Sequence, residues 1–226
     1  MKLRLLEGLG LELELAIVDR ATLDVRPLAD GVLFEASGDR SGDHANGRIS
    51  WSNERLAPHG ARLMPGGMHP WMDPRRETEL WPFEYAEVYR AFHALFDCHR
   101  HGWANLQSVH LNLSFGDDQE FGRLLAAARL VLPLVPALAA SSPVMEGRVT
   151  GVLDQRLEAY RTNSARVPHM TGAVIPEPVY DGESYRREIL APLSAAVAEL
   201  EPTGILEGEW LNARGAIARF DRDALE

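Results

Sequence analysis

Two glutamates, Glu12 and Glu14, stand two positions apart in an alternating run. On a strand their carboxylates emerge on one face about 7 Å apart, at a rise of roughly 3.3 Å per residue. Anions held that close repel unless a cation sits between them. Mg2+ or Mn2+ is the natural occupant, because hard cations choose carboxylate oxygen and keep positions open for water and phosphate. The other reading of the pair is a solvent-facing edge strand. His110 lies beside Asn112 on the polar side of a second alternating run and completes the same set if the two strands share a sheet. Alone it reads as a hydrogen-bonded structural histidine. One histidine among carboxylates suits Mn2+ or substrate-linked Mg2+ better than a structural zinc, which takes several Cys or His. Arg148, Arg156, Arg161 and Arg166 gather in one segment with Tyr160 and Asn163. Guanidinium groups grip carboxylate and phosphate bidentately, so this segment is where anionic ligands are expected, against the alternative of surface ion pairs. Cys98, near His99 and His101, raises a Cys–His nucleophile, but its place at a helix end without an orienting carboxylate makes it a buried structural thiol. His69, in Met68-His69-Pro70-Trp71, reads as a structural turn residue.

The composition narrows the chemistry further. The 226 residues carry 23 Lys plus Arg against 33 Asp plus Glu, a formal net charge of −10, which speaks against nucleic acid and acidic lipid as partners. Lys2 is the only lysine, so a Walker-type phosphate loop and a Schiff-base lysine are excluded. A single cysteine permits no internal disulfide, and with no secretory signal in the opening residues a cytoplasmic protein is expected. The most apolar stretch, Leu130 to Met145, contains Pro133, Pro136 and Pro143. It reads as a buried helix too short and broken to span a bilayer.

Elements that position these residues follow from periodicity. Leu11 to Val18 begins in strict alternation, with Leu11, Leu13, Leu15 and Ile17 opposite Glu12 and Glu14, the pattern of a half-buried strand, and Asp19-Arg20 opens a turn. Gly31 to Gly60 is rich in Gly, Ser, Asp, Asn and Arg and reads as a loop. Glu84 to Phe96 carries one apolar stripe at helical spacing. Val109 to Phe115 alternates again as a second strand. A long helix begins at Glu120, capped by Asp117 or Asp118 and kinked at Pro133 and Pro136. Glu146 to Pro168 reads as mostly irregular with short helical turns, Tyr185 to Leu200 as helix, and Ile205 to Leu211 and Ala216 to Phe220 as strands. The expected class is α+β, an antiparallel sheet covered by helices.

Six segments together resemble the glutamate-cysteine ligase family of the bacterial carboxylate-amine ligase type. They are GLGLELELAIVD at Gly8 to Asp19, MHPWMDP at Met68 to Pro74, HGWANLQSVHLNLSF at His101 to Phe115, LVLPLVPALAASSPVMEGR ending at Arg148, LEAYRTNSARVP at Leu157 to Pro168, and EWLNARGAIARFDRDALE at Glu209 to Glu226. The resemblance implies a glutamine-synthetase-like fold in which an antiparallel sheet walls a cleft for ATP and Mg2+ or Mn2+. It implies ATP-dependent ligation, in which a glutamate side-chain carboxylate is phosphorylated and the acyl phosphate is attacked by an amine such as that of cysteine, a step of glutathione biosynthesis. By position, Glu12 and Glu14 match first-strand metal ligands and His110 the facing histidine. Arg161 matches a catalytic and substrate-binding position, with Asn163, Arg166 and Arg214 as further substrate contacts.

The family pattern also departs from this chain. After Asn53-Glu54 it has a further strand with another metal-binding glutamate and then a long helix, whereas here the chain passes almost directly to Ala57-Pro58-His59-Gly60. Past Glu226 it continues with a Glu-x-Arg strand and a helical portion. The expectation is a single ligase-like catalytic domain over 1–226, incomplete after 54 and at its carboxyl end. A lost strand would leave an edge open to a second copy of the chain, a homo-oligomer. Small-molecule partners are ATP and amino acids. The alternative is a non-catalytic nucleotide or amino-acid binding module derived from such a ligase, and a weaker one is a metal-dependent hydrolase.

Overall fold

A computed structural model describes residues 3–38, 53–83, 85–171 and 177–206. In chain order the main elements are β1 (Leu9–Glu14), β2 (Ala16–Asp19), α1 (Ala29–Ser37), β3 (Ala61–Met64), α2 (Ala86–Phe96) and β4 (Ser108–Leu113). Then follow α3 (Asp118–Val131), α4 (Val135–Ala139), β5 (Val144–Met145), β6 (Arg148–Val149), α5 (Gln155–Asn163) and α6 (Ala191–Leu200), with short helical turns between them. The class is α+β. Among the described residues the strands form three two-stranded sheets, β1–β4, β2–β3 and β5–β6.

The chain divides into two compact units. The first takes Met1–Leu13, Val109–Ala140 and Leu157–Glu226, and the second Glu14–Ser108 and Ser141–Arg156. In the first, Phe121 and Leu125 of α3 pack with Val179, Tyr185 and Ile189, and Phe115 and Leu190 lie against them. Phe121 meets the Tyr185 ring edge-on at 5.5 Å. Asp117 starts α3 by accepting the Glu120 N–H, as its place before the apolar run dictates. Glu120 itself is buried. Its Oε2 accepts the N–H groups of Leu5 and Gly116, both at 2.8 Å, while its Oε1 meets the Arg4 guanidinium at 2.9 Å. A buried carboxylate thus ties the chain before β1 to the turn after β4, its charge offset by hydrogen bonds and Arg4. Nothing in its spacing marks it out from the other acids of a helix's first turn. At Gly122 a Cβ would fall 2.0 Å from the Tyr180 carbonyl oxygen, so only glycine lets that segment lie against α3.

In the second unit β2 pairs antiparallel with β3, with Ile17 opposite Leu63 and Val18 opposite Arg62. Val32, Leu56 and Ala61 form a core, with Ile17, Leu28 and Leu63 against it. Asp19 closes the turn after β2. Its Oδ1 accepts the N–H groups of Ala21 and Thr22, and with Arg26 beside it the carboxyl titrates below its ordinary value, the Thr22 and Ala21 bonds weighing most. His69 is buried within its own turn, with Nδ1 accepting the Met72 N–H at 2.9 Å and the Trp71 N–H at 3.3 Å. That leaves the proton on Nε2, which donates to the Leu23 carbonyl at 2.8 Å. Asn105 clasps the same residue through its backbone, accepting from His69 N–H and donating to His69 C=O. The structural reading of this histidine holds.

Four expectations change. Gly31 to Gly60 is no continuous loop, since α1 runs through Ser37 and a helical turn spans Asn53–Leu56. The apolar side chains Val32 and Leu33 are buried there, and their burial outweighs the local Gly and Asp content. Gln155–Asn163 is a nine-residue helix rather than irregular chain. The apolar side of β1 and β4 is open among the described residues, with Leu11 and Leu111 each 59% exposed. Finally, the stretch from Leu130 is not a buried helix, as Leu138 is 85% exposed. The helical run Asp118–Ala139, 22 residues, is long and apolar enough by length and composition alone to cross a membrane. It passes Pro133 through a 3-10 turn at Leu132–Leu134, the break expected of proline inside a helix. The expected strands at Ile205 to Leu211 and Ala216 to Phe220 lie outside the described residues beyond Leu206.

Candidate functional site

The polar side of β1 and β4 brings Glu12 and His110, two of the predicted residues, together. Facing positions run in opposite directions along the two strands, so the pair is antiparallel. In the first unit the Gly8 N–H donates to the Ser114 hydroxyl at 2.8 Å, and Gly10 lies opposite Asn112. The Asn112 amide then donates to Glu12 Oε1 at 2.7 Å. The other Glu12 oxygen faces His110 Nδ1 at 3.6 Å, within ion-pair reach and beyond a hydrogen bond. Carboxylate, imidazole and amide therefore converge. In the second unit the Ser108 hydroxyl donates to the Glu14 carboxylate. Ser108, His110 and Asn112 are the period-2 set of β4, as Glu12 and Glu14 are of β1.

Gly10 is part of this arrangement. A Cβ on it would lie 3.1 Å from Asn112 Cβ and 3.4 Å from its amide nitrogen, tight enough to push the side chain aside. The bare backbone leaves room for Asn112 to lie across β1 and reach Glu12. The Glu12 side chain is 42% and that of His110 31% exposed, so both are open to a ligand from solvent. Carboxylate oxygens with one imidazole nitrogen form a donor set that fits Mg2+ or Mn2+.

The arginine segment is arranged differently. Arg161 is exposed and bonds Glu158 at 2.8 Å, one turn back on α5, and Arg166 is exposed as well. Asn163 is buried, and among the described residues its Oδ1 has no hydrogen-bond partner. A buried amide oxygen without a donor is a place where a ligand donor, or a water, is called for. Arg214 lies outside the described residues. Arg156 is committed to the backbone, its Nε donating to the Gln107 carbonyl at 2.8 Å. Cys98 is buried, and desolvation pushes its thiol up to about 11, so it is protonated and inert as a nucleophile near neutral pH.

The pattern of glutamate-cysteine ligase family 2 matches residues 51–199, well over half of the chain. The chain belongs to that family. His110, Asn112, Arg161, Asn163 and Arg166 fall inside the matched stretch, and Glu12 and Glu14 precede it. It is also 36% identical over 169 residues to an uncharacterized protein of Archaeoglobus fulgidus, a match covering 74% of this chain and 45% of that protein. The chain thus spans a little under half the length of that relative.

Strand period made Glu12, Glu14 and His110 candidates, and the family resemblance turned them into expected metal ligands. Sequence reasoning placed Asn112 on the same face without giving it a task, and it passed over Ser108, whose signal is its position two residues before His110. Gly10 gave no signal in one dimension, because the side chain it makes room for belongs to another strand.

Proposed function

We propose that this chain acts as an ATP-dependent carboxylate-amine ligase whose Mg2+ or Mn2+ is held by Glu12 and His110 on a glutamine-synthetase-like sheet. The observation that carries the reading is the convergence of Glu12, His110 and Asn112 on the polar side of β1 and β4. In such a ligase the glutamate side-chain carboxylate attacks the γ-phosphorus, ADP leaves, and an amine such as that of cysteine displaces phosphate from the acyl phosphate. A bound divalent ion supplies charge neutralisation along the phosphates. The chain's own residues do the positioning. Asn112 fixes one Glu12 oxygen, so the carboxylate enters with a set orientation and loses less entropy on taking a ligand. Ser108 does the same for Glu14. Arg161 is the catalytic candidate. It pairs with Glu158 in the free chain and is exposed, so exchanging that carboxylate for a phosphoryl group costs little. Asn163 offers its unpartnered oxygen to a substrate amine or ammonium.

Phosphate release measured with Mg2+, ATP, glutamate and cysteine tests this. The expected result is release that depends on glutamate and is lost in the Glu12→Ala, Glu14→Ala double variant. Release that survives the double substitution removes the assignment of these residues. Calorimetric binding of Mg2+-ATP with no release assigns a binding module instead, and product formed without ATP assigns a hydrolase.

A further inference from the structure

A second cluster of ligating side chains stands apart in sequence from those above. His93 occupies the last turn of α2, Asp97 is its C-cap, and His99 follows two residues on. One ligand atom from each lies within 4.8 Å of the other two. The two imidazoles face each other at 4.7 Å between ring centroids. All three belong to the second unit, whereas Glu12 and His110 belong to the first.

We propose that His93, Asp97 and His99 form a binding site for a divalent transition ion of the zinc class, with three protein ligands and an open position. Three features carry it. Two imidazoles and one carboxylate are the borderline donor set that zinc-class ions select, where Mg2+ prefers all oxygen. Tetrahedral bonds of roughly 2.0–2.1 Å put ligand atoms about 3.4 Å apart, so the cluster closes on an ion by side-chain rotation alone. The site also sits at the carboxyl end of α2, where the helix dipole favours a cation.

The backbone supports the arrangement. Asp97 adopts φ 57°, in the left-handed region that Asp and Asn enter more readily than other non-glycine residues. Its N–H still bonds the His93 carbonyl, so the cap folds the carboxylate back toward the histidine. Arg75 Nη2 holds one carboxylate oxygen at 2.8 Å and orients it. His93 Nδ1 accepts the Cys98 N–H over a long 3.2 Å. Cys98 is a buried, protonated thiol and stays outside the set.

Titration of the full chain with Co2+, read by its visible d–d absorption and by calorimetry, tests the proposal. The expected result is a four- or five-coordinate signal from one ion per chain that persists in Glu12→Gln, with affinity at least tenfold weaker in His99→Ala. The same loss is expected in Asp97→Asn, which retains a residue tolerant of the left-handed cap. Zn2+ should raise the melting temperature of the unsubstituted chain and leave that of either variant unmoved. Equal cobalt binding in Asp97→Asn overturns the proposal, and so does a signal lost in Glu12→Gln and kept in His99→Ala. Because the Glu12 site is the control, failure here leaves the ligase reading standing, and the reverse is also true.

Discussion

Replacing His69 should cost more stability than replacing any other histidine described here, and the cost can be divided between its two nitrogens. The ring is 1% exposed. In His69→Ala the Met72 N–H loses its 2.9 Å acceptor and the Leu23 carbonyl its 2.8 Å donor. A buried donor left unpaired costs about 1–3 kcal/mol, the carbonyl about 1 kcal/mol, and the vacated ring volume adds roughly 1–2 kcal/mol. The sum is about 3–6 kcal/mol. At about 2–4 °C per kcal/mol for a chain of this size, the melting temperature falls by about 6–24 °C. His69→Asn separates the parts, because its side-chain oxygen stands where Nδ1 stood and retains both turn N–H groups. It forfeits only the Leu23 bond and part of the packing, about 1–2 kcal/mol. Denaturant unfolding and thermal scans of the three proteins read these numbers. A His69→Ala cost below about 1 kcal/mol, or an Asn variant as unstable as the Ala variant, refutes the turn-locking role.

Three further outcomes follow from the same geometry. Gly10→Ala should change the melting temperature little yet weaken Mg2+-ATP binding several-fold by calorimetry, since it displaces Asn112 from Glu12. Gly122→Ala should destabilise by about 1–3 kcal/mol in urea unfolding, the usual cost of overpacking, as its Cβ would fall 2.0 Å from the Tyr180 oxygen. Asp19 and Asp181 both titrate below their ordinary value, Asp19 chiefly through the Thr22 and Ala21 N–H groups and Asp181 chiefly through Ser184. A depressed carboxylate stabilises the fold above its unfolded pKa of about 3.9, and that contribution is lost as pH falls through the lower folded value. Asp19→Asn and Asp181→Asn should therefore each flatten the fall in melting temperature below about pH 4.

Period and capping made the site's elements legible. The alternation in β1 and β4 set Glu12, Glu14 and His110 on polar faces, and of the two expected caps, Asp117 and Asp118, it is Asp117 that starts α3. What alternation does not encode is whether the covering layer lies within the same stretch of chain, and so Leu11 and Leu111 emerge exposed where burial was expected. Composition misled at Gly31 to Ser37, because a helix there needs only Val32 and Leu33 to find a core, and that is decided by β3 and the turn at Leu56. Arg161 illustrates a further limit. A sequence shows that a guanidinium is present, but its partner, Glu158, becomes evident only once α5 puts the two residues one turn apart. His99 showed in the sequence only as a neighbour of Cys98, because its grouping with His93 and Asp97 depends on the left-handed cap at Asp97.

The most direct test of the ligase reading is glutamate-dependent phosphate release from Mg2+-ATP by the unsubstituted chain and by Glu12→Gln, with melting curves run alongside to show that both are folded. The account predicts release by the first and a loss of at least tenfold in the second at equal stability. Equal release by the two proteins, or a folded unsubstituted chain that neither binds Mg2+-ATP nor releases phosphate, contradicts it.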